Sequence, residues 1–371
     1  MLVSIIVLAL IFDFINGFHD AANSIATIVT TKVLSLFQAV LWANFFNFLA
    51  YFIFTEHAVA NTIANFVDSS KINLMVILSG LIAAVFWNLL TYFWAIPSSS
   101  SHTLIGGFAG AAIAHAGVGS IHFSAIYIII LFIFVAPFLG MLLSIIITLI
   151  TTQKRIWLKT FLVLGLTLFA VISIDFKRPI EKWGLIFLGF FFIICFFYIY
   201  IKKLNFKKTN NLFKKMQLIS SALYSIGHGG SDAQKVMGII GVSYIVSGKI
   251  HNFQELPNWV PVVCYCTISF GTLLGGKRII KTMGSKITTV TPLEGVCAET
   301  AGALSLFTSI GLGIPVSTTH TITGSIIGVG IVRRVNSVKW KIPIKLLWAW
   351  LITIPISGLI GMIIYHFANL F

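Results

Sequence analysis

Asp13, Asn16, Asp20 and Asn23 stand at i, i+3, i+7 and i+10 within an otherwise apolar run. On a helix that spacing puts all four on one face. Ser225, His228, Asp232 and Lys235 repeat the spacing in the second half of the chain. Carboxylate and carboxamide oxygens so arranged can hold a hard cation, and the carboxylates can equally take protons. Two further stretches concentrate hydroxyls: PSSSSHTLIGG (97–107) and PVSTTHTITGS (315–325). One or two hydroxyls after a proline suffice to cap a helix start. Ser98 to Ser101 and Ser317 to Thr319 supply more than that. A helix N-terminus presents free N–H donors and positive dipole charge. A hydroxyl-rich start is therefore a cage for a small oxyanion. His102 and His320 follow the hydroxyls, each able either to donate to the anion or to rest as a neutral imidazole tied to a carbonyl.

The elements that position these residues must cross a membrane. The chain has 371 residues, of which only 9% are charged, against roughly 25% in soluble domains. Apolar runs fall near 2–30, 35–54, 72–116, 123–151, 156–174, 184–201, 218–247, 258–276, 290–332 and 344–369. Each is long enough to span as a helix, and 72–116 and 290–332 are long enough that they must bend back or break. The runs are continuous rather than alternating, which excludes a β-barrel. The N-terminus has no basic n-region, so the first run reads as a retained span rather than a cleavable leader. Cys195, Cys264, Cys266 and Cys297 form no CxxC and no zinc spacing, and read as small apolar fillers.

With the N-terminus outside and each long run returning to the side it entered from, 19 of the 25 basic residues face the cytoplasm. They include the cluster Lys202 to Lys215 and the stretch Lys277 to Lys286. The positive-inside rule is satisfied. The expectation is a multi-pass cell-membrane protein (the inner membrane, in a bacterium) with both termini outside and a basic cytoplasmic loop. The net charge of +15 is then a matter of orientation and needs no nucleic-acid partner.

The chain is written twice. IPSSSSHTLIGGFAGAAIA (96–114) and IPVSTTHTITGSIIGVGIV (314–332) share eight of nineteen positions at an offset of 218 residues, and GFHDAAN (17–23) recurs as GGSDAQK (229–235) at an offset of 212. The expected organisation is a first repeat at 1–151, connecting spans and a basic loop at 152–217, and a second repeat at 218–371. The charge pattern starts the two repeats on opposite sides. Inverted repeats with broken or re-entrant helices, in about 10–12 transmembrane segments, characterise secondary transporters that bind near the midplane. The fold class expected is an all-α polytopic membrane protein of that kind.

No HExxH and no GxxxxGK[ST] occurs, which disfavours a metalloenzyme and a nucleotide-driven pump. Asp20, Asp232 and Lys235 together carry a charge of −1. Adding an oxyanion makes the site more negative still, and a low-dielectric site cannot hold that unpaired. Cations must enter with the anion, either Na⁺ or protons on the carboxylates.

At these residues the chain resembles the inorganic phosphate transporter (PiT) family. FDFINGFHDAANSIAT (12–27) is similar to the family's first signature, and HGGSDAQKVMG (228–238) to its second-half counterpart in bacterial members. The paired serine/threonine segments, GGKRIIKTMGSKITTVTP (275–292) and AET (298–300) also fit. The resemblance covers both halves. It implies symport of inorganic phosphate with Na⁺ or H⁺, an inverted-repeat helical fold and often a homodimer. It points to Asp20, Asn23, Asp232 and both hydroxyl segments as site residues, and marks His228 and Glu299 as functional.

The reading is a secondary active phosphate transporter, not an enzyme, working by alternating access and without a cofactor other than its coupling ion. Phosphate is expected on Ser99, Ser100, Ser101, Thr103, Gln234, Lys235, Ser317, Thr318 and Thr319. The coupling cation is expected on Asp20, Asn23, Asp232 and Glu299, with Na⁺ at the first three if the ion is a metal. Asp13, His228, His102 and His320 support the site. The alternatives are a carrier of sulfate or arsenate and, from another class, a channel or a receptor. Sulfate lacks a proton to donate at neutral pH, so two acceptor carboxylates favour phosphate over it.

Overall fold

The computed structural model describes residues 1–173, 179–275, 279–280 and 282–370. The basic residues Lys177, Arg178, Lys277, Arg278 and Lys281 and the acidic Asp175 lie outside the described residues. Helices follow one another along the chain: α1 (Leu2–Thr30), α2 (Leu36–Ile53), the short α3 (Ala58–Ala64), α4 (Leu74–Phe93), α5 (Ser100–Ala116), α6 (Phe123–Thr152), α7 (Ile156–Ser173), α8 (Pro179–Ile201), α9 (Phe206–Val246), α10 (Trp259–Leu273), α11 (Pro292–Gly311), α12 (Thr318–Arg333) and α13 (Lys341–Ala368). No β-ladder forms among the described residues beyond a single bridge between Val67 and Ile121. A lipid-embedded backbone must satisfy its own polar groups, and the helix does so within one segment. Among the described residues six helices are long and apolar enough to cross a membrane: α1, α2, α4, most of α6, most of α8 and α13.

Both overlong apolar runs break. The first divides into α4 and α5 around Ala95, whose φ is +55°, and the second into α11 and α12 around Gly313, whose φ is +66°. The two left-handed residues are separated by the repeat offset of 218. Beyond each break a serine caps the next helix: Ser99 accepts from the His102 N–H at 3.3 Å and Ser317 from the His320 N–H at 3.4 Å. The helices so started, α5 and α12, are buried from residue 100 to 112 and from 318 to 330. They are interior half-helices that carry the hydroxyls to the centre of the molecule.

Packing repeats as the sequence does. Let α1, α2, α4, α5 and α6 correspond to α9, α10, α11, α12 and α13. The main packed pairs then have counterparts: α5 on α13 matches α12 on α6, α1 on α10 matches α9 on α2, and α1 on α4 matches α9 on α11. The crossings are close. A Cβ on Gly106 would strike Ser357 and the Ile354 carbonyl of α13, and one on the twin Gly324 would strike the Pro137 carbonyl of α6. Pro137 and Pro355, inside α6 and α13, are again 218 apart. Each half therefore lends its last helix to the other half's hydroxyl helix.

One stretch differs from expectation. The basic segment before residue 218 is not all loop: α9 begins at Phe206, because Asn205 caps it by accepting from the Lys208 N–H at 3.0 Å and no proline or glycine interrupts the run to Ile226. Lysines in an exposed first turn are compatible with helix, so hydropathy alone hid the start.

Candidate functional site

Four elements meet at the centre. The middle of α1 brings Asn16, His19, Asp20 and Asn23. The middle of α9 brings His228, Asp232 and Lys235, and the starts of α5 and α12 bring the hydroxyls. All of these side chains are buried. The i, i+3, i+7 face read from the sequence is present on α1, and it turns towards both α9 and the half-helices.

Asp232 has three polar neighbours. The Lys235 ammonium donates to its Oδ1 at 2.7 Å, the Asn16 amide donates to Oδ2 at 3.2 Å, and His228 Nε2 lies 3.4 Å from Oδ2. Lys235 also donates to the Val316 carbonyl at 2.7 Å, which ties α9 to the turn preceding α12. Among the described residues Lys235 is the only buried lysine or arginine. Asp20 has different company. His19 Nδ1 is 2.7 Å from its Oδ1, and the Ser100 hydroxyl donates to Oδ2 at 3.3 Å. Ligand atoms of Asp20, His228 and Asp232 all lie within 4.8 Å of one another. Two carboxylates and an imidazole at that separation can share one small cation or a proton.

Asn23, expected beside that cation, instead spans to the second half-helix. Its amide donates to Thr319 Oγ1 at 2.9 Å and to Thr318 Oγ1 at 3.4 Å. Thr319 in turn donates to the Ser98 carbonyl at 3.3 Å, so the two hydroxyl starts touch directly. Tyr224 of α9 donates to the Thr318 carbonyl at 3.0 Å. The structure thus brings Ser100, Thr318, Thr319, Asp20, Asn23, Asp232 and Lys235 into one connected cluster. Helix N-termini, hydroxyls and an ammonium supply donors for an oxyanion, and the carboxylates supply acceptors for a proton or cation.

The remaining expected residues sit around this cluster in other roles. Ser99 and Ser317 hold the caps described above. Thr103 donates back to the Ser99 carbonyl at 2.9 Å. Ser101 is buried in the first turn of α5. Gln234 accepts from the Val59 N–H at 3.0 Å and so caps α3. Glu299 is enclosed by donors from Thr27 at 2.6 Å, Gln217 at 2.8 Å and Ser220 at 2.5 Å, in a pocket further along α1 than Asn23. His102 and His320 meet edge to face with centroids 4.8 Å apart, and His320 stacks on Trp350 at 3.8 Å. The Trp350 indole N–H donates to the Pro97 carbonyl at 3.1 Å. The histidine pair therefore braces one half-helix against the other. Asp13 is fully buried, and neither of its oxygens has a hydrogen-bond partner among the described residues.

Sequence reading missed several members. His19 adjoins Asp20 but its repeat counterpart is Ser231, so comparison of the halves gave it no weight. Its Nε2 faces Thr91 at 3.3 Å and Ser98 at 3.5 Å, which seats it between α1 and the α4–α5 turn. Gln217, Ser220 and Thr27 gave no signal at all, since single polar residues in apolar runs are common helix–helix links.

Comparison with known proteins adds the following. A model described as the phosphate transporter family matches residues 16–361. A protein of Rhizobium meliloti (strain 1021) named "Probable low-affinity inorganic phosphate transporter" is 41% identical over 370 residues, covering 100% of this chain and 97% of its own. A protein of the same name from Bacillus subtilis (strain 168) is 37% identical over 369 residues, covering 99% and 96%. Among solved structures, one titled "The sodium-dependent phosphate transporter" superposes with a TM-score of 0.83 at 26% identity, covering 100% of this chain and 99% of that one.

Proposed function

This chain belongs to the phosphate transporter family, and on that premise we propose that it is a symporter. It carries inorganic phosphate together with Na⁺ or H⁺ through a buried site built by both halves. It is a multi-pass membrane transporter and not an enzyme. One observation carries the mechanism: two hydroxyl-capped half-helices of opposite halves touch at Ser98 and Thr319, with Asp20, Asp232, His228 and Lys235 packed onto them. Phosphate exchanges its water for the hydroxyls of Ser100, Thr318 and Thr319 and for the Lys235 ammonium. Asp20 and Asp232 accept its proton or hold the coupling cation beside it. The added negative charge cannot enter a dry site alone, so anion and cation bind together.

Access alternates by movement of one half against the other. The matched packing pairs support an inverted repeat, with residues 1–151 and 218–371 as its two units. In the orientation that satisfies the basic residues, both termini lie outside and the segment around Lys202 to Lys215 faces the cytoplasm. The partners are phosphate, the cation, the bilayer and a second copy of the chain in a homodimer.

The test is uptake of labelled phosphate into proteoliposomes under an inward Na⁺ gradient, an inward proton gradient, or neither. Saturable accumulation above the external level is expected with one gradient and not without. Purely downhill, non-saturating flux would identify a channel, and no phosphate uptake under any condition would sink the reading.

A further inference from the structure

We propose that Asp13 is a proton-binding site of the transport cycle, separate from the Asp20–Asp232 cluster; this deepens the symport reading and rests on it. The observation is one of hydrogen-bond supply. Asp13 is 0% exposed and, among the described residues, both of its carboxylate oxygens lack a donor. Three residues on, one helical turn away, Asn16 gives its amide N–H to Asp232 and keeps its Oδ1 buried and without a donor. Two neighbouring side chains therefore hold three acceptor atoms that receive no hydrogen bond among the described residues. A buried carboxylate charge with no donor and no counter-ion costs several kcal/mol. One proton on Asp13 removes the charge and supplies a donor, and Asn16 stands three residues on along the same helical face, the spacing at which helical side chains meet.

A metal ion fits less well. Na⁺ takes several oxygen ligands, and helix α1 runs unbroken from Leu2 to Thr30, so its carbonyls here are taken up by the helix. The facing titratable groups on α10 are Cys264 and Tyr265. The thiol is a soft, poor ligand for such a cation. On α9 the facing group is Asp232, with Lys235 and His228 behind it. Tyr51 of α2 lies against Tyr265 at 5.9 Å, and Tyr92 of α4 lies near His19 at 6.2 Å. No hydrogen bond or ion pair joins Asp13 to Asp232 among the described residues. Asn16 is the link between them.

That link couples proton to anion. When Lys235 turns from Asp232 towards a bound phosphate, Asp232 loses its balancing charge. Its negative field then favours a proton on Asp13, taken from water on the open side and released when the site empties. By reciprocity, a proton on Asp13 favours phosphate on Lys235. The step is a simple gain and loss of H⁺ at a carboxylate oxygen, with no other bond made or broken.

The experiment is infrared difference spectroscopy on the full chain in lipid, stepping pH with no phosphate present. The readout is the carbonyl stretch of a protonated carboxylic acid. The wild type is expected to show such a band that Asp13→Asn lacks and Asp13→Glu restores at a shifted position. Adding phosphate is expected to move the titration of that band to higher pH in the wild type. In proteoliposomes, the pH profile of uptake should flatten in Asp13→Asn and return in Asp13→Glu. An Asp13→Asn spectrum with every acid band intact overturns the proposal. So does a wild-type band that persists unchanged when phosphate is added, provided the protein takes up phosphate. If the wild type takes up no phosphate, the symport reading fails, while the infrared band still reports on Asp13. Should Asp13→Asn not fold, Asp13→Glu against wild type decides alone, because an unshifted band would not belong to residue 13.

Discussion

The two halves of the site place an aspartate at matching positions and surround it differently. Asp20 in the first half meets the His19 imidazole and the Ser100 hydroxyl. Asp232 in the second half meets the Lys235 ammonium, the Asn16 amide and His228. Asp232 therefore has a counter-charge on its own helix. No lysine or arginine pairs with Asp20 among the described residues, and under the symport reading proposed above the coupling cation balances its charge. The repeated sequence places two carboxylates, and one differing neighbour, Asn23 against Lys235, gives them different partners. Asn23 ties the second half-helix to α1, whereas Lys235 ties Asp232 to that same half-helix.

The sharpest way to break this contrast is to neutralise each aspartate. Asp232→Asn leaves a buried ammonium without its counter-charge, with neutral oxygens, that of Val316 among them, as its acceptors. Breaking a buried pair in this way costs about 3–5 kcal/mol. The thermal midpoint in detergent should fall steeply, and adding Lys235→Met to Asp232→Asn should restore most of it. Asp20→Asn keeps hydrogen-bonding atoms in place and should change stability by no more than ~1 kcal/mol. It should nevertheless abolish gradient-driven phosphate uptake. Equal losses of stability in the two single variants would show that both carboxylates are structural and that the contrast is wrong.

Much of this arrangement is legible in the amino-acid sequence. The helical face from Asp13 to Asn23 and the two hydroxyl starts announce themselves, because polar groups are costly in an apolar chain and their spacing matches a helix turn. The repeat offset locates both breaks, since a run of more than forty apolar residues cannot cross once and stop. What sequence does not reveal is which polar atom each hydroxyl serves. Ser99 and Ser100 are chemically identical, and only the backbone path decides that Ser99 caps α5 while Ser100 faces Asp20. Gln234 looks like a ligand beside Lys235, yet one residue turns a helix by 100° and points it at α3 instead. The Glu299 pocket depends on Thr27, Gln217 and Ser220, which are distant in sequence and individually ordinary.

That division between adjacent serines gives a second, smaller test. Ser99→Ala removes a cap and should cost about 1 kcal/mol of stability, with Ser317→Ala matching it in the other half. Ser100→Ala removes no cap. Its expected effect is a raised phosphate KM at an unchanged thermal midpoint. If Ser100→Ala lowers the midpoint as Ser99→Ala does and leaves KM alone, the hydroxyl run is only a helix start.

The last contrast, whose smallest member is a change near zero, concerns the two breaks. Gly313 and Ala95 hold the same left-handed turn at matching places, but only one is glycine. An L-residue in that region bears roughly 1–2 kcal/mol of strain. Gly313→Ala should impose that strain, and its new Cβ would also sit 3.3 Å from the Ala58 carbonyl. A lowered midpoint should follow. Ala95→Gly works in the opposite direction. It relieves the strain but adds unfolded-state freedom, which takes back roughly 0.5–1 kcal/mol. The net change should be near zero or slightly stabilising. A steep loss in Ala95→Gly would mean that the alanine methyl is needed at the first turn, and that the two breaks, alike in backbone, are held by different contacts.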